Sequence, residues 1–428
     1  MFPNKKIKIK IKIKRNRKPS VVDNTKYSQV SIDLTKKITK DEKKDNGIYF
    51  TPPKTINNNL ELLKDYVSTI ESVLEPSCGS CEYISKLVNL NTDFKITGIE
   101  YNETIYKSIK EKETTNVSLI NEDFINYESE TNYDLIIGNP PFYVMKKGDV
   151  DKKYHEYFDG RPNIFILFII KSLGLLNENG ILSFILPKSF LNCIYYDKTR
   201  NHIYNNYKIL NIVECHDDYI ETKQDTILLI VQNTTVFDNS EYLLDISELS
   251  ILGQPNFIEQ LKELYEDSCS LNELGFNVSV GNVVWNQHKD ILCDDTSKTL
   301  LIYSSDISNG MLDIKTYKND KKKNYIDKEG TCEPLLVINR GYGVGTYNFN
   351  HCLIDTPKEY LIENHLICIK YTKTKIESRE ELKKKYQMLI ESFNDPRTHT
   401  FIKLYFSNNA INTSELSTVL PIYTYVKS

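Results

Sequence analysis

The chain has 428 residues, 40% of them hydrophobic and 26% charged, with a formal net charge of −4. That balance excludes a disordered chain, a membrane-embedded one and a uniformly basic protein that coats any polyanion, while the length favours two domains. Nine cysteines lack the dense regular spacing of a disulfide scaffold and the opening alternates Lys with Ile, which points to no signal peptide and a reducing intracellular compartment, cytoplasm or nucleus.

From Lys5 to Lys18 the sequence reads KKIKIKIKIKRNRK, a single-signed, low-complexity run that suits either an arm touching phosphates or a solubilising tail. Val21 to Asp45 is polar and weakly patterned, so residues 1–45 are expected to form a basic, poorly ordered arm. From Asn46 the texture changes to apolar runs, VLEPSCG, FKITGIE, VSLINEDF, YDLIIGNPPF, GILSFILPKSF and DTILLIVQN. Helix-length connections such as Ile56 to Ser68 and Ile164 to Leu176 separate them, which predicts a doubly wound α/β fold with a Rossmann-like, mostly parallel sheet over 46–240. The second of those connections is the longest apolar stretch, but Lys171 interrupts it and it falls short of the about 20 residues that span a bilayer, so no membrane segment is expected. Beyond Asn239 the alternation ends, and 241–428 reads as a second, mixed α+β domain with helical patterns at Asn256 to Glu266 and Lys373 to Asn394. Asp313 to Gly330 reads as an exposed charged loop.

Three strand ends carry nucleotide-site features. Glu75 and Gly79 follow the first strand, Glu100 closes the second, and Asp123-Phe124 follows the third. Glycine permits close backbone approach to a ligand at the carboxyl ends of strands, and an acid on the second strand suits ribose hydroxyls. An Asp can accept from an adenine amino group while Phe stacks on the ring. A single glycine turn of this kind is weak, but three in order are not. No P-loop and no complete G-x-G-x-x-G is present, so a nucleoside cofactor without pyrophosphate fits best.

After the fourth strand comes Asn139-Pro140-Pro141-Phe142. The Asn amide oxygen and the Pro140 carbonyl form two acceptors fixed by rigid prolines, which suits an NH2 group with two protons to donate. Accepting both would stabilise the positive charge that develops as the amine attacks an electrophile, and Phe142 can stack on the base that carries it.

These residues resemble the γ class of amino-directed DNA adenine methyltransferases, over nearly everything from Asn46 onward. The resemblance implies S-adenosylmethionine as cofactor, held by Thr51 and Pro52 in GIYFTP, by Glu75, Gly79, Glu100, Asp123 and Phe124, and by Phe168 in the segment after the catalytic loop. It implies catalysis by Asn139, Pro140, Pro141 and Phe142, a flipped adenine stacked near Tyr219, and a target-recognition domain over 241–428. Double-stranded DNA is the implied partner, bound by a monomer, with room for a separate restriction endonuclease; no metal is expected.

One departure stands out: Gly79-Ser80-Cys81 replaces the family's usual Gly-Ser-Gly. The Cys81 side chain is expected to crowd the cofactor or to need an unusual backbone angle, and Cys78-x-x-Cys81 lacks the second pair a zinc site needs. Candidate DNA contacts are the basic arm, Lys321, Lys322, Lys323 and Arg340, with Trp285 and Tyr342 as base or sugar contacts. The rival readings are an RNA-base or protein-glutamine methyltransferase, or an inactive nucleic-acid-binding module on the same fold.

Overall fold

The computed structural model describes residues 26–424 apart from 218, 223, 248, 342–346, 374–377 and 407–410. The expected disorder over 1–45 is corrected for its last twenty residues; residues 1–25 lie outside the described ones. Helices α1 (Gln29–Lys37) and α2 (Lys40–Asn46) form there, capped by the Ser28 and Thr39 side chains, which accept from the Ser31 and Glu42 N–H groups. Their sequence is polar, so local propensity understates them. Tertiary contact supplies the difference: Leu34 and Ile38 bury against Ile105, with Ile48 and Phe50 beside them.

The following region holds a seven-stranded sheet of β1 (Ser72–Glu75), β2 (Lys95–Ile99), β3 (Val117–Ile120), β4 (Tyr133–Gly138), β5 (Leu176–Pro187), β6 (Lys208–Cys215) and β7 (Thr226–Gln232), in the order 3-2-1-4-5-7-6. Strands β1 to β5 run parallel, and β7 lies antiparallel between β5 and β6. Alternate residues feed two cores. Leu74, Ile136, Leu182 and Leu229 face one layer with α6 (Ile164–Leu173) and α7 (Asp197–Asn206). Val73, Leu135, Ile181 and Leu228 face the other with α3 (Pro53–Leu62), α4 (Glu82–Leu90) and α5 (Glu103–Ile109). Apolar runs buried on both faces are what a sheet covered by helices on each side requires. This is a doubly wound, Rossmann-like architecture, with β6 the one strand of the sheet that the sequence pattern does not mark.

A hairpin of β8 (Leu243–Ile246) and β9 (Leu249–Leu252) ties the two halves together. Leu252 joins the first core, with Leu243 packed against it, whereas Leu249 and Ile251 join the core of the second. Arg200 of α7 is fully buried and pins the hairpin, donating to the Ser250 carbonyl at 2.6 Å, to the Phe190 and Cys193 carbonyls at 3.0 and 2.7 Å, and to Asp197 at 3.1 Å. The second domain pairs an antiparallel sheet, ordered Phe276–Val280, Leu366–Tyr371, Leu335–Asn339, His351–Ile354, with a smaller mixed sheet built around Thr299–Ile302. Its helices are α8 (Pro255–Tyr265), α9 (Arg379–Phe393) and α10 (Pro396–Tyr405). From the end of α10, Tyr405 returns to the first domain: its carbonyl accepts from Asn192 Nδ2 at 2.9 Å and its hydroxyl donates to the Asn192 carbonyl at 3.2 Å.

Candidate active site

Doubly wound sheets bind ligands in the crevice at the carboxyl ends of their strands, and a cavity opens there, above β1, β2 and β4. Its volume is ≈ 210 Å³ and it is partly open to solvent, somewhat below the roughly 300–1,000 Å³ of small-molecule sites. Gly79, Glu100, Asp123, Phe124, Asn139 and Phe168 line it, so residues from five separate stretches of the sequence converge.

Gly79 sits in the left-handed region at φ +51°, and its N–H donates to Glu100 Oε2 at 2.9 Å. The Asn102 N–H donates to the other oxygen at 2.7 Å. Burial pushes the Glu100 carboxyl up to about 7, against the lowering effect of those two N–H donors. Each carboxylate oxygen keeps a further lone pair for ribose hydroxyls. Phe124 and Phe168 meet with ring centroids 4.9 Å apart and form an apolar wall. Lys171, on α6, lies 5.1 Å from the Phe124 ring centroid and donates to the Ile125 and Tyr127 carbonyls. The lysine thus holds the loop after β3 in place, while Asp123 accepts from the Ile125 N–H at 2.9 Å.

Asn139 closes the other side. Its Nδ2 donates to the Tyr49 carbonyl at 3.3 Å, and Ser77 Oγ donates to its carbonyl at 3.1 Å. Its Oδ1 is buried with no hydrogen-bond partner among the described residues. An unpaired buried acceptor costs about 1–3 kcal/mol, an expense that an incoming N–H donor would remove. Pro140 is buried and Pro141 lines the cavity. Phe142 stands edge-on to Phe165 at 5.9 Å. Gly47, at φ +63°, presses against this loop: a Cβ there would lie 2.6 Å from the Phe142 nitrogen and 3.1 Å from Pro141 Cβ.

Other expected residues take different places. Glu75 is buried under the cavity floor, not on its surface; burial raises its pKa well above the usual carboxylate range, and its Oε2 has no partner among the described residues. Thr51 and Pro52 are buried where α3 begins, and the preceding residues 46–50 form the wall instead. Tyr219 is buried beside Tyr49 and Phe50 in a separate small crevice and does not reach the cavity.

Cys81 corrects the expectation of crowding. It caps the start of α4 at φ +61°, so it adopts the backbone angle a glycine would, but its thiol is fully buried in the core beneath and does not line the cavity. Cys78 and Cys81 are both free thiols, and no group of three or more metal-ligating side chains occurs among the described residues.

In the second domain Arg340 is exposed at the end of its strand. Lys321 is exposed, but Lys322 lies 4.0 and 3.8 Å from the Tyr303 and Tyr317 ring centroids, and Lys323 pairs with Asp294 at 2.6 Å. Those two lysines brace their own loop. Trp285 is half-buried with Lys289 over its ring at 5.6 Å, and Tyr342 lies outside the described residues.

The sequence reading missed Tyr101, Asn102 and Tyr143, all of which line the cavity, as does Tyr49 within the GIYFTP segment it did mark. Asn102 carried a usable signal, since an Asn between a strand and a helix is a strong N-cap, and it does cap α5 by accepting from the Thr104 and Ile105 N–H groups.

The chain's relatives agree with this geometry. Residues 80–220 match the family described as Eco57I restriction-modification methylase. Type II methyltransferase M.CvrRI of Paramecium bursaria Chlorella virus XZ-6E is 27% identical over 392 residues, covering 90% of this chain and 96% of that protein. Modification methylase CviBIII of Paramecium bursaria Chlorella virus NC1A is 31% identical over 227 residues, 51% of this chain and 59% of that protein. Among solved structures, that of the DrdV–DNA complex superposes with a TM-score of 0.51 at 12% identity, covering 88% of this chain and 55% of that one, which supports the fold.

The cofactor's chemistry fits the residues present: a buried acid for ribose hydroxyls, an apolar wall for a ring, and an orphaned amide oxygen for the acceptor of the transferred group. Fold, cavity and relatives together make the chain similar to S-adenosylmethionine-dependent methyltransferases of the restriction-modification methylase type.

Proposed function

We propose that the chain methylates the exocyclic N6 amine of adenine at specific sites in duplex DNA, with catalysis in residues 46–240 and target recognition in 241–428. The observation that carries this reading is the buried, unpartnered Oδ1 of Asn139, beside the Pro140 carbonyl, in a loop braced by Gly47. An exocyclic amine donates two protons, and two fixed acceptors hold its nitrogen lone pair toward the cavity. As the nitrogen gains positive charge, Oδ1 and the carbonyl stabilise it without having to reorganise. S-adenosylmethionine supplies the electrophilic methyl carbon. Glu100 would hold its ribose, Phe124 and Phe168 its adenine ring, and residues 46–50 would cover its amino-acid end.

The target base has to leave the duplex stack to reach Asn139, at a cost of a few kcal/mol. Phe142, half-buried next to the cavity loop, offers it a ring edge or face. Arg340 contacts DNA from the second domain, Tyr219 buttresses the Tyr49–Phe50 wall from its own crevice, and the enzyme works as a monomer alongside a separate restriction endonuclease.

The test is transfer of labelled methyl from S-adenosylmethionine to adenine-containing duplex DNA, with nucleoside analysis of the product, for wild type and Asn139→Ala. N6-methyladenine from wild type and none from the variant is the expected result. Transfer to RNA or to protein glutamine instead would replace the substrate class, and no transfer with no cofactor binding would leave an inactive binding module.

A further inference from the structure

Helix α2 reads KDEKKDN and has no apolar residue; the side chain it buries is Lys43. Burial of an apolar face is what usually stabilises a short helix in a protein, so polar contacts hold this one, and a buried ammonium is costly unless it is paired. Lys43 Nζ pairs with Glu221 at 2.8 Å, the two side chains being 5% and 26% exposed, and it also donates to the Thr35 carbonyl. The preceding residue, Glu42, points to another loop. Its Oε1 accepts from Asn102 Nδ2 at 3.0 Å, and the Asn102 N–H donates to Glu100 Oε1 at 2.7 Å. Two neighbouring side chains of α2 therefore reach, separately, the support of the cavity acid Glu100 and Glu221.

Glu221 belongs to the segment that joins β6 to β7. Thr226, the first residue of β7, pairs with Pro187 at the end of β5 and with Cys215 at the end of β6, so this segment leaves the sheet on the face where the cavity opens. Thr55 Oγ1 donates to Asp217 Oδ2 at 2.9 Å and gives the segment a second tie. Tyr219 is buried, whereas Ile220 is 46% exposed, and both line the crevice that shares Tyr49 and Phe50 with the cavity. The β6–β7 segment thus stands on one side of the Tyr49–Phe50 wall and the cavity on the other, and α2 leads into that wall through Gly47.

We propose that Glu42 and Lys43 are positioning residues that act through Asn102 and Glu221: they tie the cofactor cavity to the β6–β7 segment, so that a ribose held by Glu100 sets that segment for the incoming duplex. The inference rests on the reading of Glu100 as the ribose acid and of duplex DNA as substrate. Because α2 is docked by directional polar contacts on two sides, fixing the loop on one side lowers the cost of fixing the other. Cofactor and duplex then bind with positive cooperativity, and the coupling is equal in both directions.

The experiment measures S-adenosylhomocysteine affinity by calorimetry, with and without a saturating duplex fragment that the wild type methylates, for wild type, Lys43→Met, Glu221→Ala and the double variant. Lys43→Met fills similar space and leaves no buried charge behind. Wild type should bind about five-fold tighter or more on the duplex, the lower end of ordinary coupling between sites. Each single variant should cut that gain to less than about two-fold, and the double variant no further, since both substitutions remove one contact. Affinity without DNA should stay within about three-fold of wild type, because neither side chain lines the cavity, and that same value shows the variants to be folded. A gain that persists in the variants, or one that wild type lacks, overturns the proposal, as does an equal loss with and without duplex, which marks the pair as structural only. Wild type failing to methylate any duplex would instead overturn the substrate reading.

Discussion

Asn139 gives its amide N–H to the Tyr49 carbonyl at 3.3 Å and keeps its Oδ1 unpaired and buried. The backbone of one segment thereby sets which end of the amide faces the reaction: turning the amide over would place two oxygens against each other. An Asp at this position could still accept a hydrogen bond, but it would set a carboxylate against the Tyr49 carbonyl. Asn139→Asp is therefore expected to lower kcat by about 10²–10³, the usual loss for one preorganised transition-state partner. Calorimetry should find cofactor affinity within a few-fold of wild type, and an equal fall in both quantities would show that Asn139 serves binding instead.

Glu100, with its carboxyl pushed up to about 7 by burial, is expected to make cofactor binding pH-dependent through its proposed hold on the ribose. Only the carboxylate accepts from ribose hydroxyls with both oxygens, so affinity should rise from pH 6 to 8 and then level off. Binding near pH 7 should release a fraction of a proton, visible as different heats in buffers of different ionisation enthalpy. In the free enzyme the sign is opposite. Because the folded pKa exceeds the ordinary carboxylate value, this group favours the folded state fully below about pH 4.5 and loses that contribution as pH rises through about 7. Glu100→Gln should weaken cofactor binding and flatten both profiles.

Cys81 holds a backbone angle that costs an L-residue about 1–2 kcal/mol, while its thiol fills space in the core under β1. Cys81→Gly removes the first and loses the second, so urea denaturation should shift by no more than about 1 kcal/mol. Cofactor affinity should remain within two- to three-fold, since the side chain does not line the cavity. A ten-fold gain in affinity would mean that the thiol does crowd the bound cofactor.

Arg200 is the expected weak point of the junction between domains. Replacing it with Leu leaves the Ser250, Phe190 and Cys193 carbonyls without their donor and Asp197 without its guanidinium. Breaking a buried charged network of this kind costs about 3–5 kcal/mol. Chemical denaturation should show that loss, and proteolysis should cut near the β8–β9 hairpin first.

Legibility in the sequence followed locality. The strand ends at Gly79, Glu100, Asp123 and Asn139 were readable because each motif lies within a few residues of its own strand. Helices α1 and α2 were not, because what orders them is remote: buried Lys43 pairs with Glu221 at 2.8 Å, 178 residues away, and Asn102 Nδ2 reaches back to Glu42 at 3.0 Å. Strand β6 was missed because it sits at the sheet edge with only Ile209 and Ile212 buried, which blurs its pattern. The second domain's strands are two to six residues long, too short for periodicity to speak. Tyr219 was placed by analogy in sequence, and only packing shows it behind Tyr49 instead of over the cavity.

The notch that Gly47 fits has a consequence for how the protein is made. Gly47 rests on Phe142, and a ribosome adding roughly 5–20 residues per second delivers the second on the order of 5–20 s after the first. Through that interval Gly47 lacks the loop it rests on, whereas α1 and Phe50 can already pack on Ile105, made well before Phe142. The cavity wall around Gly47 is therefore complete only once Phe142 has been made.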